Sequence, residues 1–402
     1  MSGERELPQG TEYPNSHFSR RDFLKRGLGI GAVVFGSGIP NFTRIENPLF
    51  NAELFSDTGF GFSFSPERLS WFFTGGKTEL SLDNYKNPEG QQMLNRALSS
   101  LDYSNTNLGF NAIRLGVRWD NIVDENGNFN FGMYKPFFDY CINNGIDITL
   151  NFGIKVFGWP EEHIPPMFKQ NASSEADKVS SQSDIAKAYM PWADKLFNYL
   201  ANIYTPEQLA RITTVQPENE PFNPFGGNKF TMDYNYLTEL VLLAQKYFPT
   251  SRVLINSSEL NNISDIYSLF QSLSNFVDNN RLILGINYYP FIPGNLMDPI
   301  DLYNFESVFK KQVQLADFER QGYGIIVSEL GIEPWSANNP PVGLRNTEMA
   351  LINSENKILA FSRKPEIYFW GIQYLDTAGS DVSLPIFDLL RDLKNSKKSS
   401  VT

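Results

Sequence analysis

Arg211-Ile-Thr-Thr-Val-Gln-Pro-Glu-Asn-Glu-Pro221 and Tyr323-Gly-Ile-Ile-Val-Ser-Glu-Leu-Gly331 decide the fold. In each, a short β-branched run ends on acid, Glu220 in the first and Glu329 in the second. A short continuous apolar run reads as a strand covered on both faces, the habit of parallel sheets. Runs of the same kind recur outward from these two, at Gly59–Ser65, Ala112–Val117, Asp147–Phe152, Ile212–Gln216, Arg252–Asn256, Leu282–Asn287, Gly324–Ser328 and Ile367–Ile372. Amphipathic stretches with helical spacing alternate with them, at 90–107, 132–144, 184–203, 231–247, 263–276, 305–321, 343–361 and 384–394. Pro191 is expected to kink the third of these or to sit near its first turn.

Eight strand–helix units in series predict an α/β fold, a (β/α)8 TIM barrel, as a single domain over 56–396. A doubly wound sheet would want a Gly-rich phosphate loop after the first strand, and Gly59-Phe-Gly-Phe-Ser-Phe lacks that spacing. Chemistry in such barrels is placed at the carboxyl ends of the strands, where Glu220 and Glu329 both fall. The longest aperiodic stretch, 154–183, follows the third strand at the same pole and is expected to shape a cleft. Residues 396–402 read as a frayed tail.

Apolar content of 41%, with 14% aromatic, supplies a sizeable core and excludes global disorder. The net charge of −11, without a basic run, makes nucleic acid an unsuitable partner and anionic substrates a poorer fit than neutral polysaccharide. The lone cysteine, Cys141, has no internal disulfide partner and reads as a small core residue. Ser19-Arg20-Arg21-Asp22-Phe23-Leu24-Lys25 matches a twin-arginine export signal, followed by a glycine-interrupted apolar stretch, Leu28 to Ile39. That stretch is shorter than the roughly 20 residues that span a membrane, so membrane contact is expected only through the signal, within 1–50. Extracytoplasmic localisation follows from this reading.

His17 lies in the export segment, which leaves His163 for the body of the chain. Ser-His-Asp hydrolysis and His-based zinc sites are thereby disfavoured, and no tight acidic cluster suggests magnesium. No cofactor and no metal are expected. His163 itself reads as a surface-loop histidine. What remains is a pair of carboxyl groups, the minimum equipment for cleaving a glycosidic bond when one is protonated and the other ionised. Taken singly, a glutamate after a strand is more often a solvated loop residue or a helix N-terminal charge. Glu218 and Glu333 lie close enough in sequence to compete; Glu218 should face away from Glu220 along an extended segment, and Glu333 falls in the following loop.

Asn219-Glu220-Pro221 resembles the Asn-Glu-Pro signature of clan A glycoside hydrolases, retaining (β/α)8 enzymes. The resemblance implies that Glu220 is the general acid/base and Glu329 the nucleophile, with Asn219 donating to the sugar 2-hydroxyl. Phe110-Asn-Ala-Ile-Arg-Leu-Gly-Val-Arg-Trp119 is similar to the clan's second-strand segment, which makes Arg114 the nucleophile's cation; Arg118 is the alternative. Asn121 to Phe131 is similar to a passage in β-galactosidase-like members. Gly285-Ile-Asn-Tyr-Tyr-Pro290 resembles the sixth strand, where Tyr289, or failing it Tyr288, would hydrogen-bond the nucleophile. Trp370, in Tyr-Phe-Trp-Gly371, matches the tryptophan that floors the sugar site. Family 5 cellulases carry histidines beside strands four and six, and this chain has none there, so the family within the clan stays open.

Trp71, Trp119, Trp159, Trp335 and Trp370 follow or end expected strands, and Trp192 falls in a helix. Indole faces stack on sugar C–H patches, although any one of these is equally a core anchor. Trp370 and then Trp335 are the substrate-binding candidates. The resulting expectation is an exported retaining glycosidase acting on β-linked oligo- or polysaccharide. A catalytically inactive carbohydrate-binding barrel and a transglycosylase are the alternatives. An aldolase or isomerase barrel would want a cleft lysine or a phosphate loop after strands seven and eight.

Overall fold

The computed structural model describes residues 58–158, 160–173, 178–258, 262–288, 305–331, 362, 365–371, 386–393 and 395, with backbone alone for 72, 173 and 305–312. Eight parallel strands close into a barrel: β1 Gly59–Phe64, β2 Ala112–Arg118, β3 Asp147–Gly153, β4 Thr214–Pro217, β5 Arg252–Ser258, β6 Leu282–Tyr288, β7 Gly324–Gly331 and β8 Glu366–Trp370. Each strand pairs with its sequence neighbours, and β8 returns to β1 with Gly59 opposite Glu366. The (β/α)8 expectation holds strand for strand, with bounds shifted by at most three residues.

Helices Pro88–Thr106, Lys135–Asn143, Asp184–Ile203, Tyr234–Tyr247, Ile263–Leu273 and Phe305–Arg320 occupy the expected amphipathic stretches, and 386–393 is helical. Short helices at Pro66–Phe73, Lys169–Ser173 and Pro206–Leu209 are additional, and 343–361 lies outside the described residues. The helix expected from 231 starts at Tyr234, because the Asp233 side chain accepts from the amides of Asn235 and Tyr236 and caps it there. Residues Thr231–Met232 instead pair with Lys178–Val179, tying the loop after β3 to the loop after β4. Pro191 lies inside the helix Asp184–Ile203, past its first turn.

Two apolar regions result. The larger fills the shell between strands and helices; Leu115, Leu150, Val215, Val253, Ile286 and Val327 contribute from the barrel's outer face, and Cys141 is buried within it. The smaller, Leu254, Ile283, Ile326 and Tyr368, plugs the barrel interior. Along each strand, residues two apart share a face. The inward positions above that plug are therefore Arg114, Asn151, Gln216, Asn256, Asn287 and Ser328, and all six are buried. This polar layer carries the site.

Candidate active site

Arg114 is the hub. Its guanidinium is fully buried and donates to the Glu329 carboxylate, to Gln216 Oε1 at 2.6 Å, to Ser63 Oγ at 3.2 Å and to Asn219 Oδ1 at 2.7 Å. The Phe157 ring lies 4.3 Å from its central carbon, and Trp370 meets Phe157 edge-on at 5.5 Å. Gly116, two residues on, leaves the space those rings use: a Cβ there would come within 2.7 Å of Val156 and 3.3 Å of Phe157. A guanidinium fits this role because its fan of donors serves several oxygens at once.

Both key glutamates are delivered by irregular backbone. In β7, Ile286 of the neighbouring strand faces Val327 but Asn287 faces Glu329, so Ser328 is an inserted residue. Strict alternation from the inward Ile326 and Ser328 would aim Glu329 outward; the bulge resets it. Beyond β4, Glu218 and Glu220 both take left-handed conformations, at φ of 60° and 45°. Glu220 then accepts from Asn287 Nδ2 at 2.7 Å and from Asn223 Nδ2 at 2.7 Å, while its amide donates to Asn256 Oδ1 at 2.8 Å. Asn287 thus bonds Glu220 from a position in register with Glu329, and Ser328 Oγ donates to the same asparagine at 2.7 Å.

Of the residues expected from the sequence, Arg114, Asn219, Glu220, Glu329 and Trp370 come together here, all of them buried. Tyr289 and Trp335, with Trp159 and Glu333, lie outside the described residues, as does the export segment. Glu218 does turn away from Glu220, though not by strand alternation, which would give residues two apart the same face. The left-handed turns separate them, and the Glu218 carboxylate accepts from the Ile154 and Lys155 amides at 3.0 and 2.6 Å and from Tyr236 Oη at 2.6 Å. Burial pushes its carboxyl up to about 7, against those hydrogen bonds. Arg118 belongs to another network, with Glu79 and Asp120.

One expectation is corrected, and one alternative is decided. His163 is no surface residue; it is 1% exposed, its Nε2 lies 3.0 Å from the Gly158 carbonyl, and burial lowers it to about 3, so it is neutral near pH 7. Trp119 is a core anchor, stacked on Phe168 at 4.9 Å and edge-on to Tyr189.

Sequence reasoning missed several members of the network. Gln216, Asn256 and Asn287 each stand at an inward position late in an apolar strand, a signal present in the chain. Lys155 is buried, with Nζ donating to the carbonyls of Glu220 at 3.1 Å, Asn223 at 2.7 Å and Phe230 at 3.3 Å; burial lowers its pKa. Glu161 is a third carboxyl group of the site. Its Oε2 accepts from Asn219 Nδ2 at 3.0 Å, and burial first, then the charge of Glu220, push it up to about 8. Its neighbour Glu162 faces the other way, accepting from the amides of Asn228 and Phe230.

No family model matches the chain, and no curated protein matches it. Several solved structures are similar to it. A GH5-4 broad specificity endoglucanase from Clostridium longisporum is 14% identical with a TM-score of 0.44, over 86% of this chain and 98% of its own. A structure of fungal β-1,4-galactanase is 16% identical at a TM-score of 0.47, over 81% and 92%. The intracellular xylanase TsXylA of Thermoanaerobacterium saccharolyticum is 15% identical at 0.44, over 82% and 90%. With these scores below 0.5, the barrel assignment rests on the strand registers above.

Proposed function

We propose that the chain is a retaining glycoside hydrolase cleaving β-linked oligo- or polysaccharide, with Glu329 as nucleophile and Glu220 as acid/base. One observation carries the reading: two buried glutamates meet one polar network at the carboxyl pole, one held by a guanidinium and the other by amide donors. A retaining mechanism needs two such carboxyls roughly 5–5.5 Å apart. In the first step a Glu329 oxygen attacks the anomeric carbon while Glu220 gives its proton to the departing glycosidic oxygen. The Arg114 contact favours the charged form of the attacking group. In the second step Glu220, now a carboxylate, takes a proton from water; the water oxygen displaces Glu329 and restores the starting state.

The fixed donors support this reading, because groups already oriented by a network need no reorganisation as charge develops. Trp370, beside Phe157 and the hub, is suited to stacking on an apolar sugar face. The twin-arginine passage supports an exported enzyme. An activated 2-fluoro-glycoside should leave one covalent adduct, located on Glu329 by peptide mass spectrometry. Glu220→Ala should lose turnover and regain part of it with azide, which needs no proton donor. An adduct on any other residue would overturn the assignment of roles.

A further inference from the structure

We propose that Glu161 is a positioning residue for this reaction: it clamps the Asn219 amide, and through that amide the guanidinium that holds Glu329. The inference rests on the glycosidase reading for its kinetic consequence, but the clamp itself stands on geometry. A guanidinium only donates, so the Asn219 oxygen must face Arg114, and it also accepts from Asn256 Nδ2 at 2.9 Å. The Asn219 nitrogen is then forced to the opposite side. Asn219 is 1% exposed, and on that side it finds Glu161. Without an acceptor there, the amide would bury an unsatisfied donor and be freed to turn, taking away one of the contacts that fix Arg114.

The loop after β3 is built to hold Glu161 in place. Its amide donates to the Gly158 carbonyl at 2.8 Å, its carbonyl accepts from the Val156 amide at 2.9 Å, and its φ is 67°. A non-glycine residue keeps that conformation only where its surroundings impose it, which is common at functional sites. Glu162 anchors the next position on the loop after β4, where Gly226 leaves just enough room: a Cβ would lie 2.8 Å from the Glu162 carboxylate.

The groups facing Glu161 are Lys155 from its own loop, Asn219 and Glu220 from the end of β4, and Glu329 from β7. Its titration, near pH 8, therefore reports on the clamp without altering the acceptor, since both forms of the carboxyl can accept from Asn219. Glu161→Ala should lower kcat on an aryl β-glycoside about 10²-fold with little change in KM, the scale of a misplaced reacting group. Glu161→Gln keeps an acceptor oxygen and should restore most of that loss at pH 6. Its kcat/KM profile should lack the inflection near pH 8 expected of wild type, where ionised Glu161 places a negative charge facing Glu220. A Glu161→Ala enzyme within twofold of wild type, or a Glu161→Gln profile superimposable on it, overturns the proposal. Thermal denaturation of both variants separates misfolding from mispositioning.

Should wild type cleave no glycoside, the reaction assignment fails and the clamp is read directly. In protein labelled at asparagine, the side-chain NH2 pair of Asn219 should titrate near pH 8 in wild type and stay constant in Glu161→Gln. An Asn219 signal that behaves identically in the two proteins overturns the clamp.

Discussion

Two arginine–glutamate pairs cross the inside of this barrel, each linking strands three positions apart, and they do opposite things. At the amino pole, Arg252 of β5 meets Glu366 of β8 through two hydrogen bonds of 2.6 and 3.0 Å, with Thr214 as a further acceptor at 3.2 Å. Directly above lies the apolar plug, where Tyr368 also contacts Thr149 at 3.1 Å. At the carboxyl pole, Arg114 of β2 meets Glu329 of β7. There, however, Glu161 and Glu220 lie near Glu329, bonded to asparagine amides and not to Arg114, and the Lys155 ammonium is turned toward backbone carbonyls. One pair is closed on itself, with a planar fork matched to a carboxylate. The other is embedded in excess acid and held by a side-chain network. Matched charge stabilises a barrel end; unmatched carboxylates at the other end mark it as a place for chemistry.

The largest expected effect separates the two poles. Glu329→Gln should abolish turnover by on the order of 10⁴-fold, since a carboxamide cannot form the glycosyl ester. Its unfolding midpoint should fall as well, because the fully buried Arg114 guanidinium loses its charged partner. Glu366→Gln should affect stability alone. Steady-state kinetics should stay within a few-fold of wild type, while chemical denaturation shows a loss of about 2 kcal/mol. That is less than for a wholly buried pair, because a fifth of the Arg252 side chain is exposed. A Glu366→Gln enzyme that is stable but inactive would erase the contrast.

A smaller effect tests how the carboxyl pole is built. Gly153 ends β3, and a Cβ there would sit 2.5 Å from the Glu218 carboxylate. That carboxylate cannot retreat, being held by two amides and Tyr236. Gly153→Ala should therefore cost about 3 kcal/mol and displace the Glu218–Glu220 turn, lowering kcat as well. Preserved kcat with lowered stability would show that the turn's conformation does not depend on Glu218.

The barrel was legible because its parallel strands are buried on both faces and so stand out as continuous apolar runs. Glu220 and Glu329 were legible because both fall where such runs stop. Their aim was not. Alternation from Ile326 turns Glu329 outward, and nothing in Val-Ser-Glu announces the bulge that turns it back; the left-handed turns at Glu218 and Glu220 are similarly silent. Gln216, Asn256 and Asn287 were within reach, since a polar residue facing a barrel interior needs partners there. Glu161 was not, because a loop has no periodicity from which to infer facing, and its role depends on the rotation of the Asn219 amide. His163 misled for the same reason: a Pro-rich loop reads as surface, whereas this one folds over the pole and buries its histidine.

A last expected effect is in the pH dependence of stability, and its sign follows from burial at the carboxyl pole. Glu161 and Glu218 sit at about 8 and about 7 in the folded chain, above the 4.5 of a free glutamate. The folded state therefore holds protons that the unfolded state has released, and stability falls as pH rises from 4.5 toward 8. His163 acts oppositely. At about 3, below its free value of 6.5, it is neutral when folded and charged when unfolded, so its contribution is present above 6.5 and lost as pH falls toward 3. Between 4.5 and 6.5 two glutamates outweigh one histidine, a net of about one proton, and the midpoint should decline gently. Above 6.5 the histidine no longer opposes them and the decline steepens until Glu218 and then Glu161 ionise. Calorimetry from pH 3 to 8 should thus show a maximum on the acid side of neutrality, with the unfolding midpoint lower at pH 8 than at pH 5. Glu161→Gln should flatten the fall above 4.5 and leave the acid side untouched, while His163→Gln should flatten the acid side alone. A wild-type midpoint that climbs steadily to pH 8 would mean that these carboxyls are solvated or paired, and that the acid excess distinguishing this pole from the other does not exist.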